Sequence, residues 1–387
     1  MSAHEPAGDE PAPERAPTGE IEPDREPARA AAGRTDRCFT RYPRQATGDS
    51  PARASAEPVT RTTILVLSVD EADRLAHCLP AALAQPDARI VVIDNACTDR
   101  TAALCQELGV EVVRLCERRS YAAAVNAGLA ATAGDVALGL AATADAVLLL
   151  NADCVLASGF LEAATRALSG DGIGSVAPKL VRATDMTPGD RLRVLDTAGM
   201  RIDRRRKNGL VGHGEPEDRF GSRAPAFGGD GACVLYRRSM LDACAIGREV
   251  LDEDMALWAS DADLAWRAQL LGWACAYEPG ALAWHVRFYS PTTRAELPEE
   301  HRRRQFTNRL LMAVKNETAA GFARDAPWIL GYELLALGHV LLRERHLLRG
   351  YADAARLLRA ALRRRRVVQA RRARGRRRPP FGLAPPR

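Results

Sequence analysis

The sequence predicts an α/β fold: a mostly parallel, Rossmann-like sheet flanked by helices, with a helical extension at the C-terminal end. Three observations predict it. Apolar runs such as Thr63–Val69 are continuous rather than alternating, as in strands covered on both faces. These runs alternate with amphipathic helical segments, the pattern of βαβ units. Acidic residues then follow the strands directly, at the edge where open α/β sheets hold their ligands.

The elements follow in order. Thr63–Val69 is the first strand, and a helix from Asp73 to Gln85 places Leu75, Cys78, Leu79 and Leu83 roughly on one face. Ile90–Ile93 is the second strand and runs into Asp94. A helix from Thr101 to Leu108 stops at Gly109, which suits a left-handed cap. Glu111–Leu115 reads as the third strand, Tyr121–Ala131 as helix and Val147–Leu150 as the fourth strand. Beyond Asn151-Ala152-Asp153 come a helix at Phe160–Leu168 and a strand at Ser175–Val181. The Gly- and Arg-rich stretch 184–226 has no clear period. Strand Ala232–Tyr236, helix Asp261–Leu271 and strand Ala274–Tyr277 close the domain, and from about His301 the chain reads as helical.

This gives four parts. Residues 1–58 hold nine of the 23 prolines and few large apolar residues, so the segment is expected to be disordered. Residues 59–300 form the α/β domain, 301–366 the helical extension and 367–387 a basic disordered tail. The formal charge of +6 suggests nucleic acid, yet all but three of the 55 basic residues are arginine, a sequence-wide bias. No aromatic interleaving or recognition motif supports specific nucleic-acid binding. The nine cysteines are scattered without a C-x-x-C pair, and the start shows no signal-peptide pattern. A cytoplasmic setting is therefore expected, with thiols such as Cys154 and Cys233 as small core residues.

The chemistry lies at the strand ends. Asp70 and Glu71 follow the first strand, Asp94 the second and Asp153 the fourth. Carboxylates converging on one edge repel a bare phosphate, whereas a divalent cation bridges carboxylate and diphosphate oxygens. The chain lacks both a G-x-x-x-x-G-K-S/T loop and a G-x-G-x-x-G after the first strand, which excludes P-loop and dinucleotide-binding readings.

The order Ile90–Asp99, Asn126-Ala127-Gly128, Leu148–Asp153, Gly231–Arg238, Ser260–Arg267 and His285 resembles family 2 glycosyltransferases of the GT-A fold. It is most similar to rhamnosyltransferase-like enzymes of cell-wall and surface-polysaccharide assembly, over about 62 to 316. The resemblance implies a nucleotide-diphosphate sugar donor bound by Ser68, Asp94, Asn95, Asn126, Asn151 and Asp153. It implies Mg²⁺ or Mn²⁺ held by Asp153 and His285, Asp261 as catalytic base in an inverting displacement, and Asp230 and Gly231 facing a glycan or lipid-linked acceptor. Four positions depart from the pattern: Ala152 stands where proline is usual, Ser260 where glutamate is, Ser68-Val69-Asp70 replaces an Asn-Tyr-Asn-like loop, and Arg118 replaces an asparagine.

Each residue also has a plainer reading. Asp94 ends a strand or caps a turn, and Asp99 caps the helix near Thr101. Asn126 ties down a loop, Asp230 sits in a turn, and Asp261 and Asp263 are first-turn helix charges. Trp266 and Trp284 read as core. The apolar segment Trp328–Leu342 either packs on the domain or lies in a membrane interface with arginines on anionic headgroups, peripheral on the inner face of the plasma membrane. The alternative to catalysis is a nucleotide-binding relative that scaffolds other enzymes.

Overall fold

The computed structural model describes residues 39–42, 61–133, 144–287 and 296–373. The expected tails therefore lie largely outside the described residues. Within the first of them, β1 (Phe39–Tyr42) nonetheless runs as a strand, and the last helix continues to Ala370.

The sheet is built around β2 (Thr62–Ser68), whose residues are all buried. A strand with no exposed face must be covered on both sides, and the surrounding elements do this. On one side, α1 (Ala72–Leu83) buries Leu75, Cys78 and Leu79 in a cluster with Ile64 and Val66. Helices α2 (Thr101–Glu107) and α4 (Phe160–Leu168) pack in the same layer. On the other side, α3 (Tyr121–Ala133) packs on Leu65 and Ile93. Gly128 makes this close approach possible: a Cβ there would lie 2.4 Å from Ile93 Cδ1. Helices α5 (Arg238–Cys244) and α6 (Ser260–Leu271) extend that second layer. A fully buried Leu or Ile of this kind contributes about 1.5–3 kcal/mol relative to an exposed one.

Strands β3 (Ala88–Asp94), β4 (Glu111–Leu115) and β5 (Ala146–Asn151) join β2 in a parallel block ordered β4-β3-β2-β5, with β1 antiparallel on β4. Beyond β5 the direction changes. Strand β12 (Cys233–Arg237) pairs antiparallel with β5 and with β7 (Ile173–Ala183), and β13 (Ala274–His285) lies parallel to β7. Short β6 (Cys154–Leu156) and β11 (Ala224–Ala226) pair with β13, and β8 (Arg191–Thr197) pairs with β7. The stretch without a readable period thus becomes β8, β11 and a hairpin of β9 (Met200–Ile202) and β10 (Asn208–Leu210). Strand β13 runs past Tyr277, so His285 is its last residue and sits inside the sheet edge.

Helices α7 (Glu299–Asn316), α8 (Ala319–Leu342) and α9 (Leu348–Ala370) form the extension. Trp266 of α6 is core, packed with Met312 of α7 and Ala361 and Val368 of α9. Helix α8 is anchored by its buried Asp325, which pairs with Arg204 at 2.9 Å and Arg206 at 3.0 Å. Part of the basic run faces inward: Arg364 pairs with Glu249 at 2.8 Å, and Arg365 donates to Glu317 O at 2.6 Å. No described helix is long and apolar enough to cross a membrane. Seven described cysteines are free and buried, Cys154 and Cys233 among them. Cys116 is disulfide-bonded.

Candidate functional site

The parallel register brings the strand ends together. Ser68 lies opposite Asp94, and Leu67 lies opposite Asn151. Asp94 is fully buried. Its Oδ1 accepts the Cys97 N–H at 2.7 Å, which is the turn-capping role. Its Oδ2 has no hydrogen bond and stands 3.6 Å from Arg114 Nε. One oxygen thus holds the turn, and the other faces the Arg114 guanidinium. Asn95 clamps the 116–120 turn, accepting from Arg119 N at 2.8 Å and donating to Arg119 O at 2.9 Å. Ser68 Oγ lies 3.2 Å from Thr101 Oγ1, and its carbonyl accepts the Asn95 N–H. Asp99 accepts the N–H groups of Thr101 and Ala72, tying two helix starts, as expected of a cap. Asp70, with φ of 57°, accepts the Thr98 N–H and pairs with Arg118. Arg118, the residue at the unusual position, therefore closes the unusual loop.

The second group gathers at the ends of β5, β8 and β13. Asp153 Oδ1 is buried, and His285 Nε2 stands 3.3 Å from it. His285 Nδ1 donates to Asp196 Oδ2 at 2.9 Å. Arg287 Nε donates to Asp196 Oδ1 at 2.7 Å, and its Nη2 donates to Asp230 Oδ2 at 2.8 Å. Burial alone lowers the His285 pKa, but the Asp153 and Asp196 carboxylates outweigh it and push it up to about 9. Burial conversely favours the neutral Asp153 carboxyl, and His285 more than offsets that, holding it below the usual range. Glu71 lies close enough for its pKa to be raised, by burial first and by the Asp153 charge second.

The third group is the turn before β12. Asp261, in the first turn of α6, accepts the Gly231 N–H on Oδ2 at 3.0 Å, and Tyr121 Oη donates to Gly231 O at 3.1 Å. A side chain at Gly231 would place its Cβ 3.3 Å from both Asp261 Oδ2 and Tyr121 Oη, so glycine keeps this corner open. Burial, then the neighbouring Asp230 charge, pushes the Asp261 carboxyl up to about 6. Asp263, two residues on, is structural: fully buried, it binds Arg267 at 2.9 Å, Lys315 at 2.8 Å and Asn316 at 2.7 Å. This network locks α6, and with it Asp261, to α7.

Asp153, His285, Asp230, Gly231 and Asp261 are thereby linked through Asp196 and Arg287. Ser68, Asp94, Asn95 and Asn151 line the adjoining strand tips. Asn126 stands apart, its amide taken up by Leu251 O, Glu253 and the N–H groups of Val250 and Leu251, which pins that loop. Sequence reasoning missed Asp196, Arg287 and Tyr121. Asp196 sits in the stretch without periodicity, so no local signal marks it.

Asp153, Cys154 and His285 offer ligand atoms within 4.8 Å of one another. The Cys154 thiol is buried, directed at Ala232 O, and held well above its ordinary pKa by burial, so it is wall rather than ligand. The carboxylate and imidazole fit a divalent ion. Asp153 Oδ1 and His285 Nε2 stand 3.3 Å apart, and together they would supply one hard oxygen and one imidazole nitrogen to such an ion.

Residues 63–244 match the family model described as "Glycosyl transferase family 2". No curated protein matches the chain. Among solved structures, the chain is similar to mannosyltransferase PcManGT from Pyrobaculum calidifontis in complex with GDP-Man and Mn²⁺, at 20% identity and TM-score 0.45, over 80% of this chain and 83% of that one. It is similar to GalNAc-T7 with UDP, GalNAc and Mn²⁺, at 14% identity and TM-score 0.50, over 67% of this chain and 48% of that one. It is also similar to TarS 1-349 of S. aureus, at 12% identity and TM-score 0.47, over 80% and 90%. At such identity the GalNAc-T7 likeness establishes the shared fold and nothing further.

Proposed function

We propose that the chain, whose residues 63–244 match the glycosyl transferase family 2 model, moves a sugar from a nucleotide-diphosphate sugar to a hydroxyl of a glycan or lipid-linked acceptor, with inversion and with Mg²⁺ or Mn²⁺. The observation that carries this reading is the pairing of Asp153 Oδ1 and His285 Nε2 beside the Gly231–Asp261 corner. Asp153 and His285 would hold the cation, which neutralises charge building on the departing diphosphate. Asp94 Oδ2, with Ser68 and Asn95 beside it, receives the nucleoside. Asn151 flanks the diphosphate, and Asn126 acts through the loop it pins.

Asp261 accepts the proton of the acceptor hydroxyl as that oxygen bonds to the anomeric carbon. The bond from that carbon to the diphosphate oxygen breaks, and its electron pair leaves with the diphosphate. The proton then passes from Asp261 to water. Attack opposite the leaving group inverts the anomeric centre. Burial and the Asp230 charge favour this proton transfer by raising the basicity of Asp261. Asp230 and Gly231 border the acceptor side, with Arg287 steadying Asp230.

A lipid-linked acceptor is supported by α8. Its Leu334 and Leu335 are 72% and 75% exposed, with Trp328 and Leu330 beside them and Leu342 at the end of the helix. Exposed Arg343, Arg345 and Arg349 follow, so the surface is both apolar and cationic, suited to an anionic membrane. Co-sedimentation with phosphatidylglycerol vesicles, and not with phosphatidylcholine vesicles, is expected.

The deciding experiment incubates the full chain with a panel of nucleotide sugars, with and without Mn²⁺. Metal-dependent release of nucleoside diphosphate is expected, and Asp153→Ala abolishes it. Full activity in chelator, or in Asp153→Ala, refutes the site. Donor binding without turnover on any donor and acceptor pair supports the scaffold reading instead.

A further inference from the structure

Asp196 belongs to no motif, yet it is the most connected acid of the site. It is fully buried on β8, and its carboxylate holds both His285 and Arg287. Its Oδ2 holds His285 Nδ1 at 2.9 Å and its Oδ1 holds Arg287 Nε at 2.7 Å. Its backbone carbonyl lies 2.8 Å from His213 Nδ1, and the same ring nitrogen stands 3.4 Å from Oδ1.

A carboxylate only accepts, so His285 must carry its hydrogen on Nδ1. The lone pair for a metal is then on Nε2, the nitrogen that faces Asp153 Oδ1. Without that anchor the ring is free to rotate about its terminal torsion and to exchange tautomers. The second oxygen fixes Arg287, whose other end grips Asp230 beside the Gly231–Asp261 corner. One side chain thus sets the metal-facing nitrogen and the arginine that reaches the acceptor side.

We propose that Asp196 is a positioning residue that orients His285 as a divalent-cation ligand through Nε2 and, by the same carboxylate, holds Arg287 against Asp230. This rests on the reading of Asp153 and His285 as a metal site. Carboxylates placed behind a metal-binding histidine typically change metal affinity by about 10–100-fold when removed.

The test measures Mn²⁺ binding to the full chain by the loss of the free-ion electron paramagnetic resonance signal, without donor or acceptor. Asp196→Ala is expected to weaken Mn²⁺ by about 10–100-fold. Asp196→Asn is expected to weaken it less, since its amide oxygen still accepts from Nδ1. Asp153→Ala is expected to abolish binding. Far-ultraviolet circular dichroism checks that each variant is folded. Nitrogen-15 spectra of histidine-labelled, Zn²⁺-loaded protein supply a readout that a purely structural role leaves unmoved. The wild type is expected to show one imidazole protonated at Nδ1 and bound through Nε2, and Asp196→Asn to show a mixture. Wild-type Mn²⁺ affinity in both Asp196 variants, with Asp153→Ala still defective, overturns the positioning role and leaves the metal site standing. Absence of Mn²⁺ binding in the wild type overturns the metal site and this proposal together.

Discussion

Replacing Asp261 with asparagine separates the cost of the base from its use. The folded carboxyl titrates at about 6, against 3.8 for the unperturbed group, through burial first and the Asp230 charge second. Between those values the folded state keeps a proton that the unfolded state has lost, so stability falls as pH rises through this window. The loss amounts to about 3 kcal/mol at about 1.4 kcal/mol for each pH unit of the shift. Asparagine cannot ionise and escapes it. It has a separate cost, because Asp261 accepts both Gly231 N–H and Ala262 N–H, whereas an amide oxygen serves one of them. That penalty, about 1–3 kcal/mol, does not vary with pH. Urea denaturation across pH 4 to 8 isolates the ionisation. The stability of Asp261→Asn relative to wild type is expected to rise by up to about 3 kcal/mol between pH 4 and 6 and then level off. Turnover should fall by about 10²–10⁴, the range for a lost general base, and the wild-type rate should show an acid limb near pH 6. A relative stability that is flat with pH, or activity kept within about tenfold, refutes Asp261 as an ionising base.

Other perturbations test the frame. Gly128→Ala sets a methyl against Ile93 Cδ1 and Leu65 Cδ2, and overpacking of about 1–3 kcal/mol should outweigh the roughly 1 kcal/mol gain in helix propensity, lowering the melting temperature. Asp325→Ala strands the buried Arg206, although Glu317 remains as a partner, so a loss near the lower end of about 3–5 kcal/mol is expected in denaturant, with donor hydrolysis retained. Leu334→Glu combined with Leu335→Glu should abolish sedimentation with anionic vesicles while leaving hydrolysis of soluble donor unchanged, since both side chains face solvent.

The sequence carried the parallel block well because those strands obey a local rule. The residues of β2 are apolar because both faces are covered, and the acids after β3 and β5 end the runs where the sheet ends. Gly128 was visible as part of a motif, but its reason, contact with Ile93, is a matter of packing between α3 and β3. Asp196 was not legible at all. It lies on a short strand in an Arg- and Gly-rich stretch, and its meaning depends on β8 being paired to β7 next to the end of β13. The four consecutive arginines at 363–366 show the same dependence on packing, since Arg364 and Arg365 fasten α9 to the domain.

The charge balance of the site gives a physical reason for a cation there. Asp153, Asp196, Asp230 and Asp261 lie in one linked group, with Arg287 and His285 among its counterions. Carboxylates gathered this closely away from solvent are tolerable only if positive charge is brought in or a proton is kept. Protons supply part of that charge: the Asp153 and Asp196 carboxylates push the His285 pKa up to about 9, and burial with the Asp230 charge pushes Asp261 up to about 6. The protons mark where positive charge is wanted. On the proposed reading, Asp153 and His285 would hold a divalent ion in place of the imidazolium proton, and its one further charge would help to meet the diphosphate. Asp196 stays ionised throughout, its carboxyl held far below the ordinary range, burial notwithstanding, by hydrogen bonds from His213 and His285 and by the Arg287 charge. It is therefore the fixed charge against which His285 and Arg287 are set.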